Sequence, residues 1–273
     1  MFSGSKIINI TLVLIVLGLA TIAFIKPEML PSRHTDKLTD LSLDEINSIT
    51  INNPEQLIQL EKRTDSWFVN FQNQSLPADE KLTSQILGLS QQLALSNFDN
   101  TKEDLEKYGF NSNDFSVKFN DTLISFGNNE PVANRHYVHA ENKIHVVNSH
   151  LLNKLSLPIT SFIDKSLIPP GQTVTNIKAL WKQRPLIPLQ TQKSKETLNN
   201  WQNASAQDIR TYNDQEAIAI VLIQTNSRNI LEFNVIPSKN TLKLARKDLG
   251  IVYIIPKQYM AGLLIFERPG KSK

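Results

Sequence analysis

The 273-residue chain contains no cysteine. Disulfides, thiolate metal sites, cysteine nucleophiles and acylation of the lipoprotein kind are therefore excluded. Glycine is scarce, with nine residues, and leaves little material for phosphate-cradling loops. No P-loop, G-x-G-x-x-G, G-x-S-x-G or H-E-x-x-H pattern occurs. Serine, histidine and aspartate are present but unspaced, so no catalytic triad is indicated. The net charge of +3 is too small to argue for nucleic acid as a partner. No cofactor is expected.

Long apolar runs are lacking too, with one exception. Ile7 to Ile25 carries no charge and is closed off by Lys6 and Lys26. As a helix it would rise about 28 Å, close to the roughly 30 Å hydrocarbon thickness of a bilayer. A signal peptide has a shorter apolar core and small residues at its cut site. Here the large Phe24 and Ile25 follow Thr21-Ile22-Ala23. The run predicts an uncleaved membrane anchor, with Ile7, Leu12, Leu14, Ile15, Leu17 and Ile25 among its lipid-facing residues. Lys26, Arg33 and Lys37 after the run argue for a cytoplasmic domain by charge counting, but large domains translocate largely regardless of charge. The expected topology is amino terminus in and carboxyl terminus out. That makes a single-pass protein of the inner membrane with a periplasmic or extracytoplasmic domain.

What remains is of globular composition: 40% hydrophobic and 20% charged. Residues 27–40 carry two prolines and no periodicity, and read as a linker. Strands are predicted at Ile46–Ile51 and, as a hairpin about Thr64-Asp65, at 57–63 and 66–71. Leu76-Pro77-Ala78-Asp79 opens a helix with Asp79 as cap, and Leu82, Ile86, Leu89 and Leu93 form its apolar face. A meander follows over 114–148. The second half repeats this in part. Residues 173–180 resemble 45–52, and Leu198, Trp201 and Ala204 give a helix face. Leu123 to Ser149 aligns without gaps onto Ile230 to Pro256, with Phe126 on Phe233, Ile144 on Ile251 and Val146 on Tyr253. The expected fold class is α+β: an N-terminal single transmembrane helix, then two similar, mainly antiparallel sheet-plus-helix units. The boundaries are 1–26 for tail and anchor, 27–40 for the linker, 41–168 for the first unit and 169–273 for the second.

Chemistry-bearing residues are few. His136, His139, His145 and His150 fall close together. With residues 140 and 143 paired across a turn, His136 and His145 become diagonal neighbours about 5–8 Å apart. They are weak metal candidates, because a site needs further ligands. The alternative is imidazoles on the surface of a hairpin whose buried face is Ile144 and Val146. Lys239, Lys243, Arg246 and Lys247 read as a solvated basic face. Trp67, Trp181 and Trp201 read as packing anchors, although a groove near Trp181 and KQRPLIP would suit a peptide or glycan.

The order of these features is similar to a known family. It comprises an N-terminal span, an ITIN strand, a hairpin bearing Trp67 and the Pro77-Ala78-Asp79 helix start. Leu105 to Phe110, a strand ending in Phe126-Gly127, and HYVHAENKIHVV complete it. The chain resembles the bacterial domain of unknown function 4340 family over about 45–165, with a weaker likeness beyond. Phe110 stands where that family usually has Leu, and Asn128 where it has Asp. The resemblance implies a membrane-anchored, extracytoplasmic protein whose relatives often accompany ABC-type export or gliding-type transport components. It implies no reaction and no ligand.

Two functions are carried forward. One is a non-enzymatic accessory module of a transport or envelope complex, with the lipid bilayer and an envelope protein as partners. The other is an envelope hydrolase or glycan/peptide-binding enzyme using a cleft between the two units.

Overall fold

The computed structural model describes residues 11–16, 36–110, 115–131, 134–181 and 191–264. Two antiparallel sheets dominate it. The larger has nine strands: β1 (Ser48–Asn53), β2 (Gln56–Arg63), β3 (Ser66–Phe71), β4 (Gln74–Pro77), β5 (Ser96–Asp99), β6 (Ser116–Phe119), β7 (Thr122–Asn129), β8 (Arg135–Ala140) and β9 (Lys143–Asn148). Their order is β4-β3-β2-β1-β6-β7-β8-β9-β5. The smaller sheet has β10 (Val174–Trp181), β11 (Asp208–Thr211), β12 (Ala219–Thr225), β13 (Ile230–Ile236), β14 (Thr241–Arg246) and β15 (Ile251–Pro256). Its order is β10-β12-β13-β14-β15-β11. That order repeats β1-β6-β7-β8-β9-β5, so the larger sheet is the smaller plan with a three-strand meander added beyond β1.

Two expectations of fold class are corrected here. The protein is two mostly antiparallel sheets rather than an α+β fold, because its helices are short coverings on the sheets. The longest are α1 (Glu80–Ser90) and α4 (Thr191–Gln202); α2 (Lys102–Lys107), α3 (Leu152–Leu155) and α5 (Met260–Leu264) span one or two turns. Second, no helix among the described residues is long and apolar enough to cross a membrane. Of the expected span only residues 11–16 are described; they are helical and exposed, Leu12, Leu14 and Ile15 included. Ile7, Leu17 and Ile25 lie outside the described residues.

Local chemistry explains the elements. β1 alternates, burying Ile49 and Ile51 while Ser48, Thr50 and Asn52 are half-exposed. The turns adopt positive φ at Gln72-Asn73 between β3 and β4, Asn120 between β6 and β7, and Glu141-Asn142 between β8 and β9, and each includes an asparagine, which tolerates that conformation. Asn120 does more than turn. Its Oδ1 accepts from the backbone N–H of Asn47 (3.0 Å) and Ser48 (3.2 Å), and its Nδ2 donates to the Glu45 carbonyl (2.8 Å). Asp79 caps α1 by accepting from the Leu82 N–H at 2.8 Å. The helix buries Thr83, Ile86 and Leu89. Leu93, expected on this face, lies past the helix end and is exposed.

Part of the expected linker is instead core. Leu38 and Thr39 are fully buried; the Leu38 N–H donates to the Gln92 carbonyl, and Thr39 Oγ1 donates to the Ser90 carbonyl. A strap over residues 159–168 ties the two sheets together. Asp79 N–H donates to the Phe162 carbonyl (2.8 Å) and Asp164 N–H to that of Pro77 (2.8 Å). On the other side, Ala206 N–H donates to the Lys165 carbonyl (2.8 Å) and Leu167 N–H to that of Ala204 (3.1 Å). Phe162 and Leu167 are fully buried, and one contiguous apolar cluster runs from Ile49 and Phe119 through them to Trp201 and Phe233. Both sheets thus share a core.

Candidate functional site

The histidine hairpin pairs as its turn dictates. Ala140 faces Lys143, His136 faces Val147 and Val138 faces His145. His136 and His145 therefore sit on one face of the sheet, but that face is the shared core, which also takes in Val138, Ala140 and Val147. His145 is 2% exposed, and neither ring nitrogen has a hydrogen-bond partner in the described residues. The nearby Ala140 carbonyl favours the protonated ring without completing a hydrogen bond to it. Burial dominates and pushes the His145 pKa down, with Lys143 acting in the same sense and Asp36 and Glu141 opposing. His145 is thus a neutral imidazole inside the protein, not a surface one.

The other histidines are held singly. His136 Nδ1 lies 2.8 Å from Ser149 Oγ. Asn100 Nδ2 donates to His139 Nε2 at 2.9 Å, which places the proton of the neutral ring on Nδ1. Burial lowers the pKa of both. His150 is exposed. Among the described residues no group of three potential ligands could hold a metal ion.

The basic cluster is also divided. Lys239 and Lys247 are exposed. Arg246 is buried and turns inward, with its Cζ 5.4 Å from the Phe233 ring centroid. Its guanidinium holds Asp248 through two hydrogen bonds, Nε to Oδ1 at 2.9 Å and Nη2 to Oδ2 at 2.7 Å. That pairing keeps the Asp248 pKa below the ordinary carboxylate range. Lys243 lines a separate cavity of about 300 Å³ with Arg210 and Gln215, and Arg210 is already engaged by Asp208 at 2.9 Å.

A larger cavity, of about 440 Å³, opens between α4 and the C-terminal helix α5. Asn199, Asn200 and Asn203 come from α4 and the turn that follows it. Gln258 and Tyr259 come from the turn before α5, and Ser205 from the chain between. Ile255 and Leu263 are its buried apolar members. Its walls are fixed by side-chain donors. Trp201, fully buried, donates its Nε1–H to the Leu263 carbonyl at 3.0 Å. Asn200 Nδ2 donates to the Gly262 carbonyl at 3.1 Å. A Cβ on Gly262 would lie 3.0 Å from that same nitrogen, so a larger residue there would displace the Asn200 amide. Asn203 Nδ2 donates to the Asn199 carbonyl (2.9 Å) and to Asn199 Oδ1 (3.0 Å). Among the described residues, no hydrogen bond engages the Gln258 amide or the Tyr259 hydroxyl. Among the described residues, the lining contains no carboxylate, imidazole, ammonium or guanidinium.

Sequence reasoning missed this cavity. It weighed Leu198, Trp201 and Ala204 as a helix face and passed over the amides, although Asn199 and Asn203 are four apart and so share a side of the helix. The groove considered near Trp181 and KQRPLIP cannot be placed, because that side chain and residues 182–190 lie outside the described residues.

The motif residues of the first unit form a packing lock. The Tyr108 carbonyl accepts from Asn128 N–H at 2.8 Å. A Cβ on Gly127 would lie 2.3 Å from that carbonyl oxygen, and one on Gly109, whose φ is +86°, 2.5 Å from Asn128 Oδ1. The Tyr108-Gly109-Phe110 turn thus lies directly on β7, and Tyr108 packs against Tyr137 in a tilted arrangement with ring centroids 4.5 Å apart. The model of the family described as domain of unknown function (DUF4340) matches residues 71–243, more than half of the chain. The chain belongs to this family. The DUF4340 match begins within β3 and runs through α4 into β14, so it covers most of both sheets rather than the first unit alone. No curated protein and no solved structure matches the chain.

Proposed function

We propose that this DUF4340 protein is a non-enzymatic accessory module of the cell envelope, one that binds without transforming what it binds. The observation that carries the reading is the cavity between α4 and α5, whose lining among the described residues offers hydrogen bonds and apolar surface but no acid–base pair. The shifted titratable groups point the same way. His145 is sealed in the core, and Asp248 is tied to a buried arginine. Location at the cytoplasmic membrane, with the domain outside, is supported by the uncharged run Ile7 to Ile25. The test has two parts. A reporter active only outside the cytoplasm, fused after Lys273, is expected to be active, with the chain recovered in the membrane fraction; soluble cytoplasmic recovery overturns the location. A stoichiometric envelope protein is expected to copurify from detergent-solubilised membranes; a chain that always purifies alone overturns the accessory role.

A further inference from the structure

We infer that the cavity between α4 and α5 is a recognition site for a neutral carbohydrate. The inference rests on the binding-module reading and names the ligand class of the same cavity. Its volume of about 440 Å³ falls within the roughly 300–1,000 Å³ range of small-molecule sites. The chemistry of the lining selects among ligands. Among the described residues no charged side chain lines it, so they offer nothing to neutralise an anion or cation. Its carboxamides are another matter, because each presents a donor and an acceptor side by side. Neighbouring sugar hydroxyls both give and take hydrogen bonds at that spacing. The Gln258 amide has both of its functions available, and Asn200 and Asn203, having committed only their Nδ2 groups as donors, retain their Oδ1 acceptors.

Apolar surface completes the match. Tyr259, 55% exposed, lines the cavity above the buried Ile255 and Leu263. A tyrosine ring of this kind offers a flat apolar face to the C–H side of a sugar ring and a hydroxyl at its edge. The carbohydrate reading is preferred to an extended peptide for a topological reason. β15, which carries Ile255, is paired on one side by β14 and on the other by β11. A peptide strand therefore finds no free backbone edge there to pair with.

The test is titration of the full-length protein in detergent with neutral linear oligosaccharides: chitotetraose, cellotetraose and maltotetraose. Binding is followed by saturation-transfer NMR. At least one is expected to bind with Kd at or below about 10 mM. Tyr259→Ala is expected to weaken binding about tenfold, and Gln258→Ala about threefold. Tyr259→Phe keeps most of the affinity, and Arg210→Ala, in the other cavity, changes nothing. Both mutated cavity side chains are exposed, so unfolding temperatures should match the parent and loss of fold is controlled. No saturation transfer from any of the three sugars, binding unchanged in both alanine variants, or selective uptake of a charged oligosaccharide or a neutral tetrapeptide each overturns the inference. These outcomes leave location and copurification untouched, so failure here is distinct from failure of the accessory role.

Discussion

The hairpins β8–β9 and β14–β15 occupy the same place in their sheets and turn differently. The first closes on two residues, Glu141-Asn142, both at positive φ. The second closes on four, Lys247 to Gly250, with only Gly250 left-handed, at φ +68°. Cross-strand rows show the consequence. In the first sheet a row runs Phe126, Val138, His145, Asn97; in the second the matching row runs Val235, Leu244, Tyr253, Ile209. The counterpart of His145 is therefore Tyr253, not Val252 as the gap-free alignment has it. Both are buried polar rings facing the shared core, and burial moves each away from its charged form. The Tyr253 pKa is raised to about 12, and that of His145 is lowered. Both positions hold a buried ring, whose polar atom is tolerated because it stays neutral.

The largest test of the shared core is Trp201→Ala. Trp201 is fully buried with its ring 5.2 Å from that of Phe233, so a loss of about 3–5 kcal/mol is expected in denaturant unfolding. One core predicts a single transition that shifts as a whole; two separated transitions would break the picture of sheets that stand or fall together. Next is Gly127→Ala, which strikes the lock found in the first unit. The added methyl meets a backbone oxygen, and about 1–3 kcal/mol should be lost by the same measurement.

Asp248→Asn probes the longer turn of the second hairpin. It leaves the buried Arg246 without its anion, but Asp248 is 57% exposed on its side chain, so water offsets much of the cost and about 1–2 kcal/mol is expected. The sign of the pH effect follows from the lowered Asp248 pKa. Stability from this pair is full above the unfolded value near 4 and is lost as pH falls through the lower folded value. An acid titration of the melting temperature below pH 4 should therefore be flatter in the variant. Gly250→Ala should cost about 1 kcal/mol, measured the same way, because alanine resists a left-handed φ. An unchanged melting temperature would mean that the four-residue turn does not set the register.

The smallest effect at neutral pH is expected for His145→Leu, a near volume-conserving change that removes two unpartnered ring nitrogens: within about 1 kcal/mol. Its value lies in pH dependence. With a folded pKa below the unfolded value near 6.5, the unfolded chain binds the proton first. Stability is then full above about pH 6.5 and falls as pH drops below it, by at most about 1.4 kcal/mol per pH unit for one proton. The variant should lose less between pH 7 and 5 than the parent, with His136 and His139 accounting for what remains. Equal slopes would show that His145 is not the buried neutral ring described.

Much of the β architecture was legible in the chain. Alternation in 48–53, the β-rich arms about Thr64-Asp65 and the pairing of residue 140 with 143 are local patterns, and strands formed there. The Asp79 cap was readable for the same reason, since a cap acts within one turn of helix. Burial of His145 was not legible. Side chains alternate with period two along a strand, so a shift of one residue moves every side chain to the opposite face. The two-residue difference in turn length is invisible to an alignment without gaps, which is how the face of Ile144 and Val146 was taken as the only buried one. Both faces are covered, the second by Phe98, Tyr108 and Phe110.

The amide-lined cavity lay further out of reach. Asn199 and Asn203 are neighbours on one helix by local geometry, but Gln258 and Tyr259 are more than 50 residues away. They meet the helix only because Trp201 and Asn200 bind the carbonyls of Leu263 and Gly262. By itself the sequence determined what acts over a few residues: strand alternation, turn residues, a helix cap, the absence of thiol chemistry. Tertiary structure alone decided which face of each strand met the shared core and which distant side chains met across a cavity. Those outcomes depend on register and on packing between segments far apart in the chain, and no local pattern encodes either.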